Sequence, residues 1–168
     1  MQDGEDMEMG GSGEELRFLE DLRSETVAAL AVEHTARTLG GRPVPTGKYT
    51  LVLSREVTAA LLDELGELFL ASNVQKGRSL LKGKMGLTIA PPCLSIVDDG
   101  RLPRQLGTAP FDGEGVPTGR TLLLDRGCVA AFLYDLRSAR IDGVRSTGNG
   151  TRGISSVPDV GATNLFLL

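Results

Sequence analysis

The residues best equipped for chemistry fall in two turn-rich blocks. Pro110-Phe-Asp-Gly-Glu-Gly-Val-Pro-Thr-Gly-Arg-Thr121 carries two carboxylates, Asp112 and Glu114, separated by glycine. Arg145-Ser-Thr-Gly-Asn-Gly-Thr-Arg-Gly153 carries Arg145, Asn149 and Arg152. Asp112-Gly-Glu-Gly115 lacks the alternating oxygen ligands that close on a glutamate in a calcium loop. Its glycines instead permit positive φ or a close backbone approach, and its acids can pair with arginines such as Arg120. Gly148-Asn-Gly150 reads first as a turn. Long polar loops beside apolar strands describe a site shaped by loops on a sheet.

Other chemistry is sparse. His34 is the one imidazole of the chain. It sits on a helical stripe, and its only soft companions are two isolated cysteines, Cys93 and Cys128, so a converging metal-ligand set is not indicated. The same count argues against a Ser-His-Asp or Cys-His apparatus. Asp63 and Glu67, four residues apart, share a helix face with Glu64 beside them. A hard-cation site, a general base or a solvated face would each suit that spacing. Lys76, Arg78, Lys82 and Lys84 form the one basic run. It suits an anion, an acidic partner, a peptide carboxylate or a solvated loop, and it lacks the GxxxxGK[ST] pattern of a nucleotide site.

The elements that must position these residues change character along the chain. Residues 1–23 form an acidic lead-in. Ser24 is a candidate N-cap for a helix over 24–39, with Val27, Leu30, Ala31, His34 and Thr38 on one stripe. Gly40-Gly41 stops it, and Pro43 and Pro45 prevent its restart. Lys48–Leu53 reads as a strand. Ser54 caps a second helix to about Ala71, whose apolar face is Val57, Leu61, Leu62, Leu65, Leu68 and Phe69. Residues 73–90 read as a glycine-punctuated loop. Leu94–Val97 is then a strand ended by Asp98-Asp99-Gly100, and Thr121–Leu124 and Cys128–Tyr134 flank a hairpin turn at Asp125-Arg-Gly127. Arg137–Arg140 is a brief helix or turn, 143–161 a long ordered loop, and Thr163–Leu168 a last strand. That ending is apolar, as expected of a buried strand or of a cut through a longer protein. The fold class expected is α+β, with two amphipathic helices in the first half and a mainly antiparallel β-sheet in the second.

Composition narrows the function classes. The chain has 168 residues, 40% hydrophobic and 24% charged, with a net charge of -4. Mean hydropathy is -0.02 and the pI is about 5.1. Tryptophan is absent and aromatics make up 4%, so the core must be aliphatic and base-stacking platforms are few. An acidic balance also disfavours direct nucleic-acid binding. The spacing of Cys93 and Cys128 suggests two buried thiols in a reducing cytosol rather than a disulfide framework. No apolar run is long enough to cross a bilayer, and no signal peptide is present, which points to a cytoplasmic protein with no membrane partner.

Five segments together resemble the TldD/PmbA family: the stretch from Gly4 to Met9, Arg42-Pro-Val-Pro-Thr-Gly47, Val74-Gln-Lys-Gly-Arg-Ser79 with its continuation to Lys84, Phe111-Asp-Gly-Glu-Gly-Val-Pro-Thr118, and Arg145-Ser-Thr-Gly-Asn149. The resemblance covers most of the chain and implies an internal portion of a longer protein, with 24–168 as a single core domain. It also implies one of two branches. TldD-like subunits hold zinc through an HExxxH helix and a late cysteine. PmbA/TldE-like subunits lack those ligands and pair with a TldD-like subunit. Here Leu61-Leu-Asp-Glu-Leu-Gly-Glu67 stands where the motif would fall, with Glu64 in the place of its glutamate and no histidine. The resemblance therefore implies a catalytically silent subunit of a cytosolic metallopeptidase, with no cofactor in this chain and zinc in its TldD-like partner. A homodimer is the other pairing to consider. An extended peptide is the implied substrate, and Asp112, Glu114, Arg145, Asn149 and Arg152 are the implied candidates for peptide or subunit contacts. Members have also been described as candidate modulators of DNA gyrase, so a stand-alone interaction domain is the alternative. A third reading is an independent hydrolase using Glu64 or Glu67 with a hard metal.

Overall fold

A computed structural model describes residues 1–4 and 6–168, with the side chain of Asp3 outside the description. The chain forms two compact units, Met1–Val52 and Leu53–Leu168. In the first, β1 (Gln2–Asp3) and β2 (Asp6–Met7) pair antiparallel, and α1 spans Ser24–Thr38. Val27, Leu30, Ala31 and His34 of the expected stripe lie along its partly covered side, with Thr35 buried among them, whereas Thr38 is exposed. Ser24 is the first helical residue and not the cap, which falls on Arg23 without a side-chain hydrogen bond.

The expected strand over 48–53 does not form; these residues carry no regular structure. Alternating Tyr, Leu and Val side chains favour a strand only where a neighbour supplies hydrogen bonds and a covered face. Val52 is 98% exposed and Leu51 74%, so neither condition is met.

The second unit begins with α2 (Arg55–Gly66), whose cap is as expected: the Ser54 hydroxyl accepts from the Val57 N–H at 3.3 Å. The helix stops sooner than its apolar spacing suggests. A 3-10 turn over Glu67–Phe69 leads to an extended Leu70, and a new short helix, α3 (Ala71–Gln75), follows. Leu70 leaves the helix to pair with Leu133, with Leu133 donating to Phe69 and Ala71 donating to Leu133, each at 2.9 Å. The covered face of α2 is Leu62 and Gly66, while Val57, Leu61 and Leu65 stay exposed.

The sheet that follows is antiparallel and four-stranded, in the order β5-β4-β3-β8: β3 (Ile96–Asp99), β4 (Arg120–Asp125), β5 (Cys128–Val129) and β8 (Leu165–Leu167). The architecture is α+β, with helices in the first half and the antiparallel sheet in the second. Its core is aliphatic, built on Val97, Leu123, Leu124, Val129 and Leu133 with Phe69 and Phe132. Two boundaries differ from expectation. Asp98 and Asp99 extend β3 instead of ending it, and residues beyond Val129 leave the sheet after two residues of β5. Cys93 is exposed and Cys128 partly so, against the expectation of two buried thiols. The brief helix is α4 (Leu136–Asp142), started by a reciprocal capping box between Asp135 and Ser138 and ended by Gly143 in the left-handed region. Within the expected loop 143–161, β6 (Gly150–Thr151) and β7 (Asp159–Val160) form a small antiparallel pair. Among the described residues no helix is long and apolar enough to cross a membrane.

Candidate functional site

The two polar blocks meet. Asp112 closes its own loop, with Oδ1 accepting from the N–H groups of Glu114 and Val116, each at 2.9 Å. Its Oδ2 reaches across to accept from the Gly150 N–H at 2.8 Å, and the Gly113 N–H donates back to the Gly150 carbonyl at 2.6 Å. Glycine at 150 leaves room for both carboxylates. A Cβ there would lie 2.8 Å from Glu114 Oε2 and 3.0 Å from Asp112 Oδ2. Glu114 turns the other way and accepts from the Leu136 N–H at 2.8 Å, placing a second carboxylate at the start of α4 beside Asp135.

Asn149 is almost fully buried. Its Nδ2 donates to Asp98 Oδ2 at 2.8 Å and to the Gly161 carbonyl at 3.1 Å, and its Oδ1 accepts from the Thr147 hydroxyl at 2.7 Å. Asp98, 1% exposed on the central strand, also accepts from the Thr163 N–H at 2.7 Å and the Thr163 hydroxyl at 2.9 Å. Three donors therefore meet one buried carboxylate, which ties the loops around 149 and 163 to β3. The neighbouring Asp99 points to the rim, with the guanidiniums of Arg101 and Arg120 at 3.8 and 3.9 Å. Arg120 thus pairs with Asp99, and not with Asp112 or Glu114 as the sequence suggests.

These contacts frame a cleft of about 340 Å³, bounded by Ala109, Phe111, Asp112, Asn149, Arg152 and Thr163. Of the five residues singled out in the sequence, Asp112, Asn149 and Arg152 border it. Glu114 supports it from behind through α4, and Arg145 stands exposed on the connection after α4, outside the cleft lining. Asp98 and Thr163 escaped the sequence reading because Asp-Asp-Gly after an apolar strand resembles a turn. No signal in the sequence announces their pairing with Thr163-Asn164 at the head of the last strand, which only the fold brings about.

The carboxylates around the cleft hold its loops in place. Both Asp112 oxygens and both Asp98 oxygens are taken by hydrogen-bond donors. Arg152 at the rim is exposed and makes no ion pair among the described residues. A second cleft, of about 320 Å³, lies between α3, α4 and β7. Burial pushes the carboxyl of Asp159 there upward, but hydrogen bonds from the Val160 N–H and Ser72, with Lys76 3.7 Å away, outweigh it and hold the group below its ordinary value.

The carboxylates at the end of α2 are oxygen donors alone. Asp63, Glu64 and Glu67 are exposed, and Glu67 Oε2 is engaged by the Asn73 amide at 3.1 Å. No imidazole or thiol stands in this segment, because His34 lies on α1. The donor set is all carboxylate, which suits neither the nitrogen–sulfur preference of zinc nor an HExxxH geometry.

Comparison with known proteins places the fold in context. The family model described as the PmbA/TldA metallopeptidase C-terminal domain matches residues 46–168. An uncharacterized protein of Methanocaldococcus jannaschii is 37% identical over 144 residues, which cover 85% of this chain and 34% of that protein. A Haemophilus influenzae protein named as a metalloprotease TldD homolog is 32% identical over 150 residues, covering 88% of this chain and 31% of that protein. Among solved structures, a Thermotoga maritima protein described as a candidate modulator of a DNA gyrase superposes with a TM-score of 0.74 at 36% identity, over 91% of this chain and 35% of the other. TldE from Thermococcus kodakarensis superposes with a TM-score of 0.57 at 33% identity, over 62% and 24%. The chain spans about a third of the length of the curated relatives it matches.

Proposed function

Because this chain belongs to the PmbA/TldD metallopeptidase family, we propose that it is part of a PmbA/TldE-like subunit that performs no catalysis itself. It pairs with a zinc-bearing TldD-like subunit in the cytoplasm and helps enclose an extended peptide. The observation that carries this reading is the donor set of α2, where Leu61–Glu67 offers carboxylates alone and no histidine at the place of the HExxxH motif. The cleft bordered by Asp112, Asn149 and Arg152 supports it further. Its carboxylates are consumed in holding loops, which suits a surface that binds and positions rather than one that cleaves. The zinc and its chemistry belong to the partner in this reading.

The test is co-purification of the natural full-length protein with a TldD-like subunit from the same source, followed by cleavage assays on unstructured peptides. The expected result is a one-to-one complex that cleaves, with no cleavage by this subunit alone. Cleavage by the isolated subunit, abolished by chelator, would overturn the proposal. So would the failure of any TldD-like subunit to associate, which would favour a stand-alone interaction domain.

A further inference from the structure

Asn149-Gly150 is a dipeptide with a reactivity of its own. The chain has three asparagines, Asn73, Asn149 and Asn164, followed by valine, glycine and leucine respectively. The backbone nitrogen of a following residue can attack an asparagine side chain. Glycine in that position removes the Cβ that hinders the approach and frees the backbone to reach the dihedrals it needs. Asn149 is therefore the one of the three set up to react in an unfolded chain. Glu114 and Asp112, which a Cβ at 150 would meet at 2.8 and 3.0 Å, favour glycine there and so maintain the reactive pair.

The fold opposes each motion that the reaction needs. The Asn149 side chain is held away from its own backbone, with Nδ2 donating to Asp98 and to the Gly161 carbonyl and Oδ1 accepting from Thr147. The Gly150 nitrogen must lose its proton to attack. That proton is donated to Asp112 Oδ2 at 2.8 Å, and a negative charge beside it disfavours its loss. The peptide plane between the two residues must also turn. Both flanking carbonyls are tied, Asn149 accepting from the Gly161 N–H at 2.9 Å and Gly150 from the Gly113 N–H at 2.6 Å. Asn149 is 3% exposed, so water has little access to the site. None of these contacts depends on a partner or on a bound peptide.

We infer that Asn149-Gly150 is a latent self-modification site, kept unreacted by Asp112, Asp98 and the Gly161 backbone and released when the cleft opens. In the opened chain the Gly150 nitrogen attacks the side-chain carbonyl carbon of Asn149. A C–N bond forms, the Gly150 proton passes through solvent to the departing nitrogen, and ammonia leaves a succinimide ring. Water opens the ring at either carbonyl, giving aspartate or isoaspartate at 149. Neither product refits. A carboxylate at 149 has no hydrogen to donate to Asp98 or to Gly161, and it faces the Asp98 charge in a buried place. Isoaspartate also adds a methylene to the main chain, which spoils the pairing of Gly150 with Val160. A cleft that stays open for long is lost irreversibly, so its persistence is a matter of rate.

The test is peptide mapping by mass spectrometry on the natural full-length protein, held at mildly alkaline pH in buffer or in denaturing urea. The reading is amide-to-acid conversion at Asn149, Asn73 and Asn164 over time. In urea, conversion at Asn149 should outpace the other two by about tenfold or more, because it alone precedes a glycine. In buffer, conversion at Asn149 should be slower than in urea by roughly a hundredfold or more, since it proceeds through the small opened fraction. Asp112→Ala frees the Gly150 N–H and should raise the rate in buffer by about tenfold, with amide protection at Leu123 and Leu124 unchanged. That combination separates a local opening from a general loss of stability. If the variant does not fold, the comparison between buffer and urea decides by itself. Equal rates in buffer and urea, a rate at Asn149 in urea no greater than at Asn73 and Asn164, or a folded Asp112→Ala protein that converts no faster would overturn the inference.

Discussion

Replacing Asp98 should unfasten the candidate cleft from the sheet. The carboxylate is 1% exposed and accepts three hydrogen bonds at 2.7 to 2.9 Å, two from Thr163 and one from Asn149. Asp98→Ala leaves three donors in a site with little access to water. At roughly 1–3 kcal/mol for each buried donor left unsatisfied, and allowing for relaxation, the loss should be about 3–5 kcal/mol. Asp98→Asn is the more discriminating change. One amide oxygen still serves the Thr163 N–H, but the NH2 group then faces the Nδ2 of Asn149. Asn149 cannot rotate to compensate without losing its bond to the Gly161 carbonyl. A cost of about 2 kcal/mol follows, nearer one lost charge-assisted bond than three. Thr163→Ala removes only the hydroxyl and should cost about 1 kcal/mol, with a clear coupling to Asp98→Asn in a double-mutant cycle. Urea denaturation of the chain gives these values, and amide hydrogen exchange locates the effect. Protection should fall at Thr163 and Gly150 before it falls at Leu123 and Leu124. A change below about 0.5 kcal/mol for Asp98→Ala, within the range of ordinary surface substitutions, would refute the reasoning.

Three further outcomes follow from the same geometry. Gly150→Ala brings a methyl within 3.0 Å of both Glu114 and Asp112, so it should displace Glu114 from α4 and lower stability by about 1–3 kcal/mol in thermal melts. Glu114→Gln keeps an acceptor for the Leu136 N–H but removes charge from the start of α4; it should cost only about 0.5 kcal/mol, and a loss above about 2 kcal/mol would mean that the carboxylate does more than this contact indicates. Burial, and then the bond and charge of Asp142, raise the Tyr134 phenol from 10.0 to about 12. Because the folded state holds this proton more tightly, the associated stability is complete below pH 10.0 and is lost as pH rises toward about 12. Tyr134→Phe should flatten that alkaline fall in denaturation curves, and an unchanged fall would place its cause elsewhere.

The sequence was most readable where one residue decides a local structure. Ser54 caps α2, Gly40 follows α1, and Arg126-Gly127 turns β4 into β5. It was least readable where partners lie far along the chain. Leu70 breaks the helical run because Leu133 offers a backbone partner, and no spacing within 54–75 announces that. Lys48–Leu53 has the alternation of a strand and no neighbour to complete it. The candidate site divides in the same way. Asp112, Asn149 and Arg152 stood out as polar groups in glycine-rich turns. Asp98 looked like a turn residue, because burial of a carboxylate is legible only once Asn149 and Thr163 are seen to surround it. Arg145 matched by motif alone, and the fold leaves it exposed.

The central claim is that this subunit contributes no zinc ligand and no catalytic group. The most direct measurement pairs the natural full-length protein with a TldD-like subunit whose HExxxH histidines are replaced by alanine, then records zinc content and peptide cleavage beside the unaltered pair. The unaltered pair should hold one zinc per heterodimer and cleave, and the altered pair should assemble, hold none and cleave nothing. Zinc or cleavage persisting in the altered pair would contradict the account and would assign the chemistry to the carboxylates of α2.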